Sequence, residues 1–283
     1  MTRGATLYKH QVTICNPRKA WSRHLSDVAP LEPWETDDWQ WYVDLRPVLS
    51  EADWLACPYP GALIDYVNQS KQIGRRKFFL AGAACVRRIW HLLDGAESRA
   101  AVEAAERYAD GEISQEELLA IQKPASDFHR RWHEGDPRFM AAIAASRLSH
   151  DLRQNQGLAE HTMYAPVDAS KAVALLNGVS EGSEVWYAKE QAEMRVQAEI
   201  YRCVMGNPFR PMELKPMWQT PKIIHLGSAI YADRAFERLP LLADALEEAG
   251  CTNADMLVHC RSKGPHARGC WVIDLLLGRE AMS

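Results

Sequence analysis

No apolar run in the 283-residue sequence approaches the roughly 18 residues that a helix needs to span a bilayer. The opening stretch MTRGATLYKHQVTICNPRKAW lacks the apolar centre of a secretory leader. The expectation is a cytoplasmic protein with no membrane span. Positive charge is not in excess: 33 Lys and Arg against 37 Asp and Glu leave a net charge of −4. That excludes a generally basic nucleic-acid coat and leaves room only for a local basic patch. None of the seven cysteines sits in a C-x-x-C pair, and their number is odd, so a disulfide framework is excluded in favour of buried thiols. There is no G-x-x-x-x-G-K-[ST] phosphate loop and no G-x-S-x-G nucleophile elbow. No repeat of fixed period is visible.

What is present is the composition of a globular protein, 47% hydrophobic and 25% charged, long enough for one large core or two smaller ones. Residues 1–49 are broken by Pro17, Pro30, Pro33 and Pro47, which exclude a long helix there. They read as an irregular N-terminal extension, with one strand-like run at 6–14. Trp34, Trp39 and Trp41 crowd into this segment. They are expected to form a packed strap, with a ligand- or partner-binding aromatic surface as the alternative.

From Ser50 onward the apolar spacing is helical. Ser50 and Asp53 have the spacing of a capping box ahead of Trp54 and Leu55. Residues 61–69 read as a short helix, and 75–93 as a strong one, with Phe78, Phe79, Ala83, Val86, Ile89, Trp90 and Leu93 on one face. Helices follow at 98–109, from a second capping box at Ser114 and Glu117, and at 126–134, 137–148, 168–176 and 183–205. The last third predicts helices at 221–232, 234–249 and 253–260 and an apolar segment at 269–278. The fold class expected is mainly α: a multi-helix bundle or stacked helix pairs over 50–283, with a sub-boundary near the loop at 155–166.

Six strings occur in an order that resembles one uncharacterised paralogous family of planctomycete bacteria: EADWLAC at 51–57, RRIWHLL at 87–93, AVEAAERYADG at 101–111, GNPFRP at 206–211, RLPLLADALEEAGC at 238–251 and GPHARGCWVIDLLLG at 264–278. The resemblance runs from about Ser50 to Glu280 and excludes the extension. It implies a bacterial source. No activity is known for that family, so the resemblance supplies no catalytic residue.

Cys251, His259, Cys260, His266 and Cys270 are the candidate metal ligands, because thiolate and imidazole suit zinc. Gly264, Pro265 and Gly269 could turn the chain back so that His266 and Cys270 approach His259. The spacing matches no standard zinc signature. His129 and His133 are four apart, as two ligands on one helical face would be, but Arg130 stands where a zinc protease needs glutamate. Lys71, Arg75, Arg76 and Lys77, with Arg87 and Arg88, form a basic region that reads as a solvated face or, alternatively, as phosphate contacts to nucleic acid. The turn GPHARGC could offer backbone N–H groups to an anion, with His266 and Arg268 assisting.

Three functions follow as expectations. The first is a non-enzymatic protein–protein interaction module, an adaptor with a protein partner and no cofactor. The second is a zinc-binding protein or metal-dependent hydrolase built on the C-terminal His/Cys set. The third is nucleic-acid binding through residues 71–88.

Overall fold

The computed structural model describes residues 11–16, 19–24, 48, 50–70, 73–148 and 164–279. The chain divides into two compact units, 1–47 and 48–283. In the first, strands β1 (Gln11–Asn16) and β2 (Lys19–His24) pair antiparallel, with Ile14 opposite Trp21. The strand-like run read at 6–14 thus overlaps β1. Trp34, Trp39 and Trp41 lie outside the described residues.

The described part of the second unit is helical. Its first eight helices are α1 (Glu51–Ala56), α2 (Pro60–Ser70), α3 (Arg75–Arg87), α4 (Ala96–Ala109), α5 (Gln115–Phe128), α6 (Pro137–Arg147), α7 (Tyr164–Ala174) and α8 (Glu184–Met205). The last four are α9 (Pro221–Asp233), α10 (Leu239–Glu248), α11 (Ala254–Arg261) and α12 (Trp271–Leu277). The mainly helical class expected from the spacing is the class observed.

The starts follow local chemistry. The first N–H groups of a helix have no partner within it, so a side-chain oxygen ahead of them is stabilising by about 1 kcal/mol. Ser50 accepts from the Asp53 N–H, Ser183 from Trp186, Thr220 from Ile223 and Asn253 from Met256. At Ser114 the box is reciprocal: its hydroxyl accepts from the Glu117 N–H, and the Glu117 carboxylate accepts from the Ser114 N–H.

The loop and sub-boundary read at 155–166 lie up to residue 163 outside the described residues, and the helix read at 168–176 already starts at Tyr164. Three further boundaries differ from the spacing. The helix expected over 75–93 ends at Arg87 and gives way to a 3₁₀ turn at Trp90–Leu92. The helix expected over 126–134 is instead the end of α5, which carries Pro124 inside it, followed by a 3₁₀ turn at His129–Arg131. The helix expected over 234–249 starts only at Leu239, because Arg234 adopts a left-handed φ of 55° that ends α9.

Two packing regions result. In the first, α3 sends Phe78, Phe79, Leu80 and Val86 into the interior, against α4, α7 and α8. Helices α6 and α7 pack on one another and bury small residues fully, Ala141, Ala144 and Ala145 on the one and Ala165, Ala169 and Ala172 on the other. Small side chains of this kind let two helix backbones approach closely. The second region is a core of Ile223, Ile230, Tyr231, Leu239, Leu242, Leu246, Met256, Val272, Ile273 and Leu276 from α9 to α12. Cys203, near the end of α8, reaches into this second core.

Candidate metal centre

Four side chains converge where α8, α11 and α12 approach one another. Cys203 is in the last turn of α8, His259 is on α11, His266 is in the connecting loop and Cys270 is the residue ahead of α12. One ligand atom from each lies within 4.8 Å of all the others. Cys203 Sγ is 3.7 Å from His259 Nε2 and 3.7 Å from His266 Nδ1. His259 Nε2 is 3.2 Å from Cys270 Sγ. Zinc–ligand bonds of about 2.0–2.3 Å set at tetrahedral angles would separate neighbouring ligand atoms by about 3.6 Å. The measured edges bracket that figure, so this Cys₂His₂ group could hold a metal ion.

The surroundings fix each ligand. His266 Nε2 lies 3.1 Å from the Ser262 carbonyl oxygen. A carbonyl only accepts, so Nε2 carries the proton and donates, and in the neutral ring Nδ1 is left with its lone pair toward Cys203. The two imidazoles meet edge to face with centroids 4.9 Å apart, and Trp271 closes over His259 at 5.5 Å. Gly269 permits the loop's approach: its φ is +87°, and a Cβ there would lie 2.8 Å from Leu80. A side chain at this position would meet both backbone strain and a clash.

The two thiols are unlike. Burial is the largest influence on Cys270 and raises its pKa, but hydrogen bonding from Cys203 and the charge and hydrogen bonds of His259 and His266 outweigh it. The net effect holds Cys270 well below the ordinary thiol range. Cys203 is pushed well up, first by its hydrogen bond to Cys270 and then by burial. The surroundings thus favour ionisation of Cys270 over Cys203, and thiolate is the form that ligates metal. His266 is raised: burial is the largest influence and lowers it, but hydrogen bonds to Cys270 and Ser262 prevail.

Lys77 braces the group from behind. Its ammonium donates to the Val204 carbonyl at 2.9 Å and the Gly269 carbonyl at 3.0 Å, and pairs with Asp274 at 2.8 Å. Val204 follows one cysteine ligand and Gly269 precedes the other. Asp274 also takes Arg76 at 2.5 Å, and Arg76 continues to Asp110 and Tyr231. Burying these charges is tolerated because each is paired and hydrogen-bonded.

Of the five ligands expected from the sequence, His259, His266 and Cys270 come together. Cys251 and Cys260 do not belong to the group of four: both lie in the apolar core of α9 to α12. Cys260 follows His259 directly on α11, so the helix turns it to another side, where burial pushes its thiol up. The remaining ligand is Cys203, 56 residues before His259 in the chain. No local spacing marks it, because its place in the group is created by the packing of α8 on α12.

The other candidates disperse. His129 ends α5 on the 3₁₀ turn, packed edge-on against Phe139, and His133 lies beyond that turn, so the two share no helical face. The 71–88 region is not simply a solvated face: Arg76 and Lys77 are buried, Arg87 pairs with Glu106 at 2.6 Å and Arg88 with Glu193 at 2.5 Å. In GPHARGC, His266 joins the thiols, while Arg268 reaches Asp110 at 3.2 Å. No helix among the described residues is long and apolar enough to cross a membrane. Compared with known proteins, the chain finds no match among family models, curated proteins or solved structures.

Proposed function

We propose that the protein binds one zinc ion through Cys203, His259, His266 and Cys270, and that the ion is structural. The observation that carries this reading is a set of two thiol and two imidazole ligand atoms, all within 4.8 Å of one another. Sulfur with imidazole suits zinc better than magnesium or calcium, which take oxygen. Four protein ligands fill the coordination shell, whereas a hydrolase keeps one position for water or substrate. The chemistry supported is therefore cross-linking: zinc would tie the end of α8 to α11 and to the start of α12, closing the C-terminal core.

The test is metal content of tag-free purified protein with thermal unfolding in the presence and absence of chelator. About one zinc per chain, lost in Cys203→Ser and Cys270→Ser, with a lower Tm after chelation, is expected. Metal-free protein whose Tm chelator leaves unchanged counts against the reading.

A protein-partner role is the second reading, and one observation favours it. The packed helices α10 and α11 leave Leu241 and Val258 more than half exposed. Apolar side chains exposed on two packed helices are the material of a contact surface where they form one contiguous patch. Leu241→Lys with Val258→Lys should leave zinc content and Tm unchanged and abolish any associated species seen by light scattering. Persistence of that species would argue against this surface.

A further inference from the structure

Tyr231, on α9, is ringed by arginine. The guanidinium carbons of Arg76, Arg268 and Arg279 lie 5.9, 4.8 and 4.1 Å from its ring centroid. Its hydroxyl donates to Asp110 at 2.7 Å and accepts from Arg76 at 2.7 Å. The Asp110 side chain is 3% exposed and is shared by all three arginines, at 2.9 Å from Arg76, 3.2 Å from Arg268 and 3.9 Å from Arg279. Asp274 cannot relieve it, being engaged with Arg76 and Lys77. Glu112, about half exposed, is divided between Arg268 and Arg107, at 3.7 Å from each.

Among the described residues, the supply of acceptors falls short of the supply of donors. A carboxylate offers about four lone-pair sites, and three guanidiniums and a phenol compete for those of Asp110. The shortfall is on the outer side. Arg268 Nε is buried and has no acceptor among the described residues. Among the described residues, the one carboxylate near Arg279 is Asp110, at 3.9 Å, and its side chain is 39% exposed. Arg76 is fixed in the interior, and Arg268 and Arg279 lead from it toward solvent.

We infer that Arg268 and Arg279, standing over Tyr231, form a binding site for a small oxyanion, a phosphate group or a carboxylate. Guanidinium is planar and always charged, and its paired N–H groups match the oxygens of both anions. Partial burial strengthens the attraction relative to an exposed arginine, because water screens it less. The site uses none of the thiol and imidazole side chains, and Arg279 lies outside the loop that carries them.

The experiment is calorimetric titration of the full-length protein with inorganic phosphate and, separately, with acetate, in low-chloride buffer. Saturable binding is expected, at one anion per chain, weakened about tenfold or more in Arg279→Gln and in Arg268→Gln. Lys222→Gln, which removes an exposed cation paired with Glu248 at the opposite end of α9 from Tyr231, should leave it unchanged. Tighter binding of phosphate than acetate assigns a phosphate ligand, and the reverse order a carboxylate ligand. Because Arg268 also pairs with Asp110, Arg279→Gln decides if Arg268→Gln fails to fold. Absence of saturable binding of both anions, or undiminished binding in Arg279→Gln, overturns the inference.

Discussion

The Lys77 ammonium lies 2.8 Å from the Asp274 carboxylate, with side chains 9% and 0% exposed. The two residues are far apart in the chain, on α3 and α12, and together they join both packing regions. The same ammonium holds the carbonyls of Val204 and Gly269, so all three of its donors are used.

Lys77→Met keeps the apolar stem and removes the charge. It leaves two buried carbonyls without their donor and Asp274 with Arg76 alone, and should cost about 3 kcal/mol in urea unfolding. If zinc is held as proposed, its affinity should also fall, about 10- to 100-fold, because the backbone beside both cysteine ligands loses its brace. A zinc competition assay reads the second effect. Unchanged affinity would show that the brace acts on stability alone.

Cys203→Ala and Cys260→Ala separate the observed ligand group from the one expected by spacing. Cys203→Ala should abolish stoichiometric zinc. Cys260→Ala should keep it and lose about 1 kcal/mol of packing from the apolar core. Metal analysis of both variants is the check, and zinc lost from Cys260→Ala but kept by Cys203→Ala would reverse the assignment.

Gly269→Ala adds a Cβ where Leu80 stands 2.8 Å away, at a φ of +87°. The steric and conformational penalties act together, so a loss of about 2 kcal/mol or more is expected. Thermal unfolding measures it. Gly178→Ala, where φ is +71° but no atom lies within 4 Å, should lose less.

Glu190, on α8, supplies a pH dependence. Burial raises its carboxyl to about 7, opposed by Lys171 and Ser170 and reinforced by Glu181. Burial likewise raises Asp168 to about 6, against Arg147 and Lys171. A carboxyl raised in the folded state contributes stability that is present in full below its unfolded value of about 4 and is lost as pH rises through the folded one. Stability carried by these groups should therefore decline between about pH 4 and pH 7. Glu190→Gln should flatten that decline by an amount on the order of 3 kcal/mol, read from urea midpoints at pH 5 and pH 8. An identical pH profile in the variant would exclude Glu190 as a contributor.

Helix existence was legible in the sequence wherever a cap and a periodic stripe coincided. Ser114 with Glu117, and the apolar stripe of α3, are local signals of this kind. Boundaries were less legible where one residue's conformation decided them, as at Arg234. The metal group was half legible: imidazole and thiol crowd into residues 251–270, but adjacency in sequence favoured Cys260, which the helix turns away, over Cys203, which only packing delivers. Arg76 and Lys77 were harder still. Two cations at a helix start read as solvent-facing, and nothing local announces that Asp110 and Asp274 will meet them in the interior.

The loop between α11 and α12 sends successive residues to different destinations. His266 goes to the ligand group, Ala267 into the interior, Arg268 to Asp110, the Gly269 carbonyl to Lys77 and Cys270 back to the ligand group. Surface connections ordinarily absorb added or missing residues at little cost. This one is indexed residue by residue, so a single insertion between His266 and Cys270 would misdirect every assignment after it. Length, more than composition, is the property of this loop least open to change.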